Sequence, residues 1–247
     1  MNIRQYLDST YLKTAAQAGL TEEENQAIVK SFLLEAIEEE FKLIMIRPNM
    51  VSMARKMIND ANSNVLIGTV IDFPEGTSSI EDKISEATQA LADGADELDF
   101  VCNYQAFKSG NSSLVKEEVL RGTQLAFAAQ KTIKWIIEVA ALNPQQIVQL
   151  TTLIKNVILL NFKEDCYPKV FVKSSTGFYK TPNGEPNGAT IAAITLMLEN
   201  ATPLPVKAAG GVRNYEEALE MIKLGVKRIG TSAAKAIIEG QISNENY

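Results

Sequence analysis

Apolar, β-branched runs recur along the chain at residues 43–46, 65–71, 98–101, 133–139, 170–172, 204–206 and 228–229, and each is separated from the next by a longer stretch with helical periodicity. An eighth run over residues 6–12 is interrupted by Asp8, Ser9 and Thr10. The stretches between carry helix-start and helix-stop chemistry. Thr21 with Glu24 forms a capping box that opens a helix toward Glu40, and Ser79 with Asp82 opens another that ends before Gly94. Asn143 precedes Pro144 at a helix start, and Asn214 caps a helix over Tyr215–Leu224 that stops at Gly225. A short helix over residues 233–239 follows Gly230, Thr231 and Ser232.

Eight strand–helix units in 247 residues average about 31 residues each, the size of one βα unit, and strict alternation implies a parallel sheet. An open doubly wound sheet would carry G-x-G-x-x-G after its first strand, and here the glycine-rich turns come late. The pattern therefore predicts an α/β fold, one (β/α)8 TIM barrel spanning residues 1–247, with residues 241–247 as a polar, flexible tail.

Composition narrows the function classes. Thirty acidic against 24 basic residues leave a net charge of −6, so no overall positive field draws the chain to nucleic acid or to an anionic membrane. The N-terminal MNIRQYLDST lacks the apolar core of a secretory signal, and no run has the length of a membrane span, so the expected location is cytoplasmic. Histidine is absent, which removes Ser-His-Asp and Cys-His catalysis and the commonest zinc ligand sets. Without histidine to activate them, Cys102 and Cys166 read as small core residues.

In a barrel of this kind, functional side chains gather at the C-terminal ends of the strands. Two consecutive strand ends, Val-Phe-Val-Lys173-Ser-Ser-Thr-Gly177 and Leu-Pro-Val-Lys207-Ala-Ala-Gly-Gly211, each place a lysine between an apolar run and small residues. Two ammonium groups converging on one mouth disfavour each other's protonation, and burial pushes the same way. A lysine freed of its proton attacks carbonyl carbon, the requirement for Schiff-base catalysis. Asp99, inside an apolar strand, needs a cation, and a lysine across the barrel supplies one. Asp8 carries the same reading more weakly, and Glu138, ending the fifth strand, reads as a polar-layer residue or loop anchor. Gly210, Gly211 and Arg213 before one helix, and Gly230 and Ser232 before another, fit a phosphate site built from backbone N–H groups. Tyr247 is a further candidate, folding over the mouth as a proton donor.

Taken together, these segments resemble the deoxyribose-phosphate aldolase family over nearly the whole chain. Lys173-Ser-Ser-Thr-Gly-Phe is similar to its Schiff-base segment, Val-Lys207-Ala-Ala-Gly-Gly-Val-Arg to its second-lysine segment, Gly94-Ala-Asp-Glu-Leu-Asp99 to its acidic strand, and Arg228-Ile-Gly-Thr-Ser to its closing phosphate loop. The resemblance implies a class I aldolase that cleaves 2-deoxy-D-ribose 5-phosphate to D-glyceraldehyde 3-phosphate and acetaldehyde, in deoxyribonucleoside catabolism, as a homodimer or homotetramer. It implies that Lys173 forms the imine, Lys207 depresses its pKa, and Asp99 works with Lys207 and a water to move the C2 proton. Asp8 and Thr10 match the first-strand element lining the site, while Gly177, Gly210, Gly211, Arg213, Gly230 and Ser232 match phosphate-side positions. No metal or cofactor is implied, and the partners are phosphorylated sugars and aldehydes. Departures from the family pattern stand at Ser9, Met45, Asp72 and Ala209, where histidine, cysteine, glycine and serine are common. The competing readings are another Schiff-base barrel aldolase for a different sugar phosphate, and a sugar-phosphate-binding barrel without catalysis.

Overall fold

A computed structural model describes residues 2–240 of the chain, so the 241–247 tail and Tyr247 lie outside the described residues. Helix starts follow the side-chain oxygens that cap free N–H groups. Thr21 and Glu24 form a reciprocal capping box on the helix Glu22–Glu38, Asn143 and Gln146 do the same for Pro144–Asn161, and Ser79 Oγ accepts from the Asp82 N–H. The helices in chain order are α1 (Ala15–Ala18), α2 (Glu22–Glu38), α3 (Val51–Asp60), α4 (Ile80–Ala92), α5 (Tyr104–Lys108), α6 (Ser112–Ala128), α7 (Pro144–Asn161), α8 (Ile191–Ala201), α9 (Tyr215–Leu224) and α10 (Ala234–Ile238). As the cap residues indicate, α9 begins after Asn214 and ends on Gly225 at φ 118°.

Eight parallel strands close into a barrel in sequence order: β1 (Leu7–Thr10), β2 (Leu43–Ile46), β3 (Leu66–Ile71), β4 (Glu97–Val101), β5 (Thr132–Ile136), β6 (Val170–Lys173), β7 (Val206–Ala209) and β8 (Arg228–Thr231). β8 pairs back on β1, with Asp8 opposite Gly230. The architecture is the TIM barrel that the alternation predicts. Three strands differ in extent from the apolar runs. β5 stops at Ile136 because Glu138 turns the chain into the left-handed region at φ 54°, and residues 137–139 leave the sheet. β7 starts two residues later than the run and continues through Lys207, Ala208 and Ala209; Pro203 and Pro205, lacking N–H groups, precede it. β8 likewise extends through Gly230 to Thr231.

Alternation along the strands divides the side chains between two layers. On β4, Leu98 and Phe100 are buried with the helices, Phe100 tilted against Trp135 of β5 at 5.0 Å between ring centroids, and Trp135 Nε1 donates to Thr123 Oγ1 of α6. Glu97 and Asp99, on the opposite face of β4, meet Lys134 inside the barrel. The barrel interior is itself divided. β2 and β3 supply Leu43, Met45 and Val70, which pack with Leu12 beneath Phe73 and Phe178, whereas the other six strands supply charged groups.

Candidate active site

Among the described residues, seven charged side chains meet inside the barrel. Lys173 closes β6, Lys207 stands opposite it in register on β7, and both donate to the same oxygen of Asp99, Oδ2, at 2.9 Å. Lys134, directly opposite Asp99 in the β4–β5 register, donates to the other oxygen, Oδ1, at 2.7 Å and lies 2.5 Å from Glu97 Oε2. Lys207 also lies 2.6 Å from Asp8 Oδ2. Arg228 bridges two carboxylates: its Nε donates to Asp8 Oδ1 at 2.7 Å, and both of its terminal nitrogens donate to Glu97 at 3.1 Å. All seven are buried, and the lysines at 0–3% exposure leave almost no path for water to screen the charges.

Burial raises the cost of every charge here, so the local partners decide each pKa. At Asp99 burial works upward, but Lys134, Lys173 and Lys207 outweigh it and hold the carboxyl well below its usual range. At Asp8 burial is likewise overcome by Arg228 and Lys207, and the pKa falls. Burial works downward on Lys134, yet Asp99, Glu97 and Asp8 hold it above the ordinary lysine value. Lys173 goes the other way. Burial pulls it down, Asp99 resists, Lys207 and Lys134 add to the pull, and the pKa falls to about 8.

The loop that follows Lys173 is tied down by Glu138. Its carboxylate accepts from Ser175 Oγ at 2.8 Å, from the Thr176 N–H at 3.1 Å and from the Thr176 hydroxyl. Glu138 is therefore a loop anchor, and burial pushes its carboxyl up despite the opposing hydrogen bonds from Thr176 and Ser175. Asn187 then donates to the carbonyls of Gly177 and Tyr179, and Gly188 packs so closely on Gly210 that a Cβ there would come within 2.6 Å of three backbone atoms. The loops after β6 and β7 form one wall.

Five of the remaining residues singled out in the sequence line two clefts at the same end of the barrel, and Gly177 and Gly230 lie outside both. Gly210 and Gly211, at φ 84° and 91°, line a cleft of about 860 Å³ together with Arg213, whose N–H donates to Glu217. Gly177 at φ 81° turns the chain just behind it. Thr10 and Ser232 line a second cleft of about 370 Å³ with Tyr11, Leu12 and Phe178. Gly230 is not in a loop: it lies within β8, where an added Cβ would stand 3.1 Å from Lys207 Cε. A groove of about 1010 Å³ along α6 and α7 contains none of these residues.

The model of the DeoC/LacD family aldolases matches residues 12–242. The deoxyribose-phosphate aldolase of Thermococcus kodakarensis is 38% identical over 96% of this chain and 96% of its own, and that of Streptococcus pneumoniae serotype 4 is 35% identical over the full length of both. The chain belongs to the deoxyribose-phosphate aldolase family. It is thus an aldolase, a lyase. The solved structure of the tetrameric deoxyribose phosphate aldolase from Aeropyrum pernix superposes with a TM-score of 0.76 at 26% identity, covering 96% of this chain and 89% of that one.

Among the positions where this chain departs from the deoxyribose-phosphate aldolase pattern, Asp72 has a local explanation. It sits at φ 54°, a conformation that glycine takes freely, and it is held there by Ser78 and by the buried Lys83 ammonium at 3.2 Å. Met45 is fully buried in the apolar half of the barrel, and Ala209 is buried beside Gly230. Ser9 is buried, and its Oγ has no hydrogen-bond partner among the described residues. Also among the described residues, no group of three or more His, Cys, Asp or Glu side chains could hold a metal ion, and no helix is long and apolar enough to cross a membrane.

Proposed function

We propose that this aldolase cleaves 2-deoxy-D-ribose 5-phosphate reversibly to D-glyceraldehyde 3-phosphate and acetaldehyde through an imine on Lys173, a reaction of deoxyribonucleoside breakdown. The observation that carries the reading is the placement of Lys173, buried, opposite Lys207 in the register and sharing Asp99 Oδ2 with it, a setting in which burial and the neighbouring ammonium groups lower its pKa to about 8. At pH 7 that leaves about a tenth of the amine unprotonated, against about one part in 3,000 for an ordinary lysine. Membership of the family supplies the substrate class.

In this mechanism the Lys173 amine adds to the C1 aldehyde of the open-chain sugar and loses water to give the iminium. Removal of the proton from the C3 hydroxyl breaks the C2–C3 bond, and the electron pair passes into the enamine. D-Glyceraldehyde 3-phosphate leaves. Protonation of the enamine at C2 and hydrolysis of the resulting iminium then release acetaldehyde and restore the amine. Asp99 Oδ2, bonded to both Lys173 and Lys207, gives a protonic connection between the reacting nitrogen and the second ammonium. The glycine turns at 177, 210 and 211, with Arg213 and Ser232, would take the phosphate, and Asp8 and Thr10 would line the sugar side. A homodimer or homotetramer is the assembly this reading favours, since the Aeropyrum pernix relative is tetrameric.

The test is borohydride trapping with 2-deoxyribose 5-phosphate, read by intact mass and peptide mapping. A reduced adduct on Lys173, lost in Lys173→Ala together with turnover, is the expected result. Binding without an adduct would favour a sugar-phosphate-binding barrel, and an adduct on Lys207 would reverse the two lysines.

A further inference from the structure

The charges around Asp99 are unevenly shared. Of the charged groups inside the barrel, Asp99 from β4, Lys134 from β5 and Lys207 from β7 act on Lys173 directly, and Asp8 from β1, Glu97 from β4 and Arg228 from β8 complete the ion-paired set behind them, while β2 and β3 contribute the apolar Leu43, Met45, Leu66 and Val70. Glu138, beyond the end of β5, is engaged by Ser175 and Thr176. The ion-paired set holds three carboxylates and four cations. Lys134 bridges Glu97 and Asp99, Lys207 bridges Asp8 and Asp99, and Arg228 bridges Asp8 and Glu97. Among the described residues Lys173 alone of the four cations has one carboxylate, and it shares the very oxygen that Lys207 uses.

Loss of one proton brings this set to neutrality, and the cation with the poorest pairing gives it up at least cost. The distribution depends on Lys134. By occupying Asp99 Oδ1 and Glu97 together, it leaves Lys173 and Lys207 to divide Oδ2. We infer that Lys134, a mid-strand residue touching neither cleft, is a positioning residue that makes the proton of the Lys173 amine easier to lose by denying it a carboxylate of its own. This deepens the proposed function and rests on the imine forming at Lys173.

The experiment is the pH dependence of kcat/KM for 2-deoxyribose 5-phosphate in wild type, Lys134→Met, Lys134→Gln and Lys134→Arg. In Lys134→Met the set becomes three carboxylates and three cations, so Lys173 gains Oδ1 and retains its proton. The acid limb should move upward by about one pH unit, with kcat/KM below it falling about tenfold. Lys134→Gln, which keeps a polar head, should move the limb the same way and carries the test if the methionine variant does not fold. Lys134→Arg should keep the limb near its wild-type position. A folded Lys134→Met or Lys134→Gln enzyme that still yields the borohydride adduct on Lys173, with the limb unmoved, overturns the inference. Absence of any adduct in wild type would instead overturn the function on which it rests.

Discussion

Gly230 offers a direct way to separate two roles. As a phosphate-loop residue, its replacement would weaken substrate binding. As a residue of β8 facing Lys207, its replacement would disturb the second lysine. In Gly230→Ala the new Cβ would lie 3.1 Å from Lys207 Cε and 3.3 Å from Ala209 Cβ, both closer than the roughly 3.5–4.0 Å of an ordinary carbon contact. Ala209 is fixed by the strand, so Lys207 must retreat by about half an ångström from carboxylates that it now meets at 2.6 and 2.9 Å. Overpacking of this size costs about 1–3 kcal/mol of stability. Since a 1 Å misplacement costs about a hundredfold in rate, kcat should fall between about tenfold and a hundredfold, with KM for 2-deoxyribose 5-phosphate changing by less than about threefold. Steady-state release of acetaldehyde, with urea unfolding of the same samples, measures both quantities. A raised KM with unchanged kcat would refute this reasoning and return Gly230 to the phosphate side. Unchanged values of both would show that Lys207 has slack.

Two other expectations follow from the site. Glu138→Ala leaves both Thr176 donors without their acceptor while Ser175 keeps the Asn187 carbonyl at 2.6 Å, so stability should fall by about 2–4 kcal/mol in urea titration, and by less than half of that in Glu138→Gln, which retains an acceptor oxygen; wild-type stability in both variants would show that the loop does not need its anchor. Lys173 has a folded pKa of about 8 against an ordinary lysine value of 10.5, so between these two the unfolded chain holds a proton that the folded one lacks, and stability should rise with pH. From pH 7 to pH 9.5 wild type should therefore gain about 2 kcal/mol relative to Lys173→Met in paired urea titrations, and parallel pH curves would contradict the depressed pKa.

Much of this arrangement can be read from the sequence, and the missed part has a definable cause. Strand–helix alternation and the capping residues lead to the barrel and to α9 almost residue for residue. Lys173, Lys207, Asp8 and Asp99 are visible as polar interruptions of apolar runs, and the structure gathers all four into one charge cluster. Lys134, Glu97 and Arg228 interrupt strands just as clearly, but attention to strand C-terminal ends passes over a mid-strand lysine and two residues at strand starts. A two-residue periodicity argument would have found them: Glu97 and Asp99 share a face of β4, and the parallel register sets Lys134 beside Asp99. Gly230 reads as a loop residue for a different reason, because a glycine before Thr-Ser looks like a turn until the register shows it within β8, paired with Asp8 and Ala209. The Lys83 cluster under the β3 turn was not legible at all, since its partners Asp72 and Glu118 come together only when α4 and α6 pack side by side.

The charge cluster also explains why barrel closure and chemistry are difficult to separate by mutation. Arg228 joins Asp8 of β1 to Glu97 of β4 from its own place on β8, so one guanidinium spans the interior across the seam where the first and last strands meet. Aliphatic side chains of similar volume, as on β2 and β3, generally stabilise an interior at least as well as buried ion pairs do. Removing a single partner is far worse, because a lone charge stays behind in a site closed to water. A variant that takes away Asp8, Glu97 or Arg228 alone therefore loses fold stability and the electrostatic setting of Lys173 together. Loss of turnover in such a variant assigns no chemical role to the residue. Lys134→Met leaves three carboxylates and three cations and keeps Arg228 across the seam, so its pH profile can be interpreted with every remaining charge still paired and the closure contact intact.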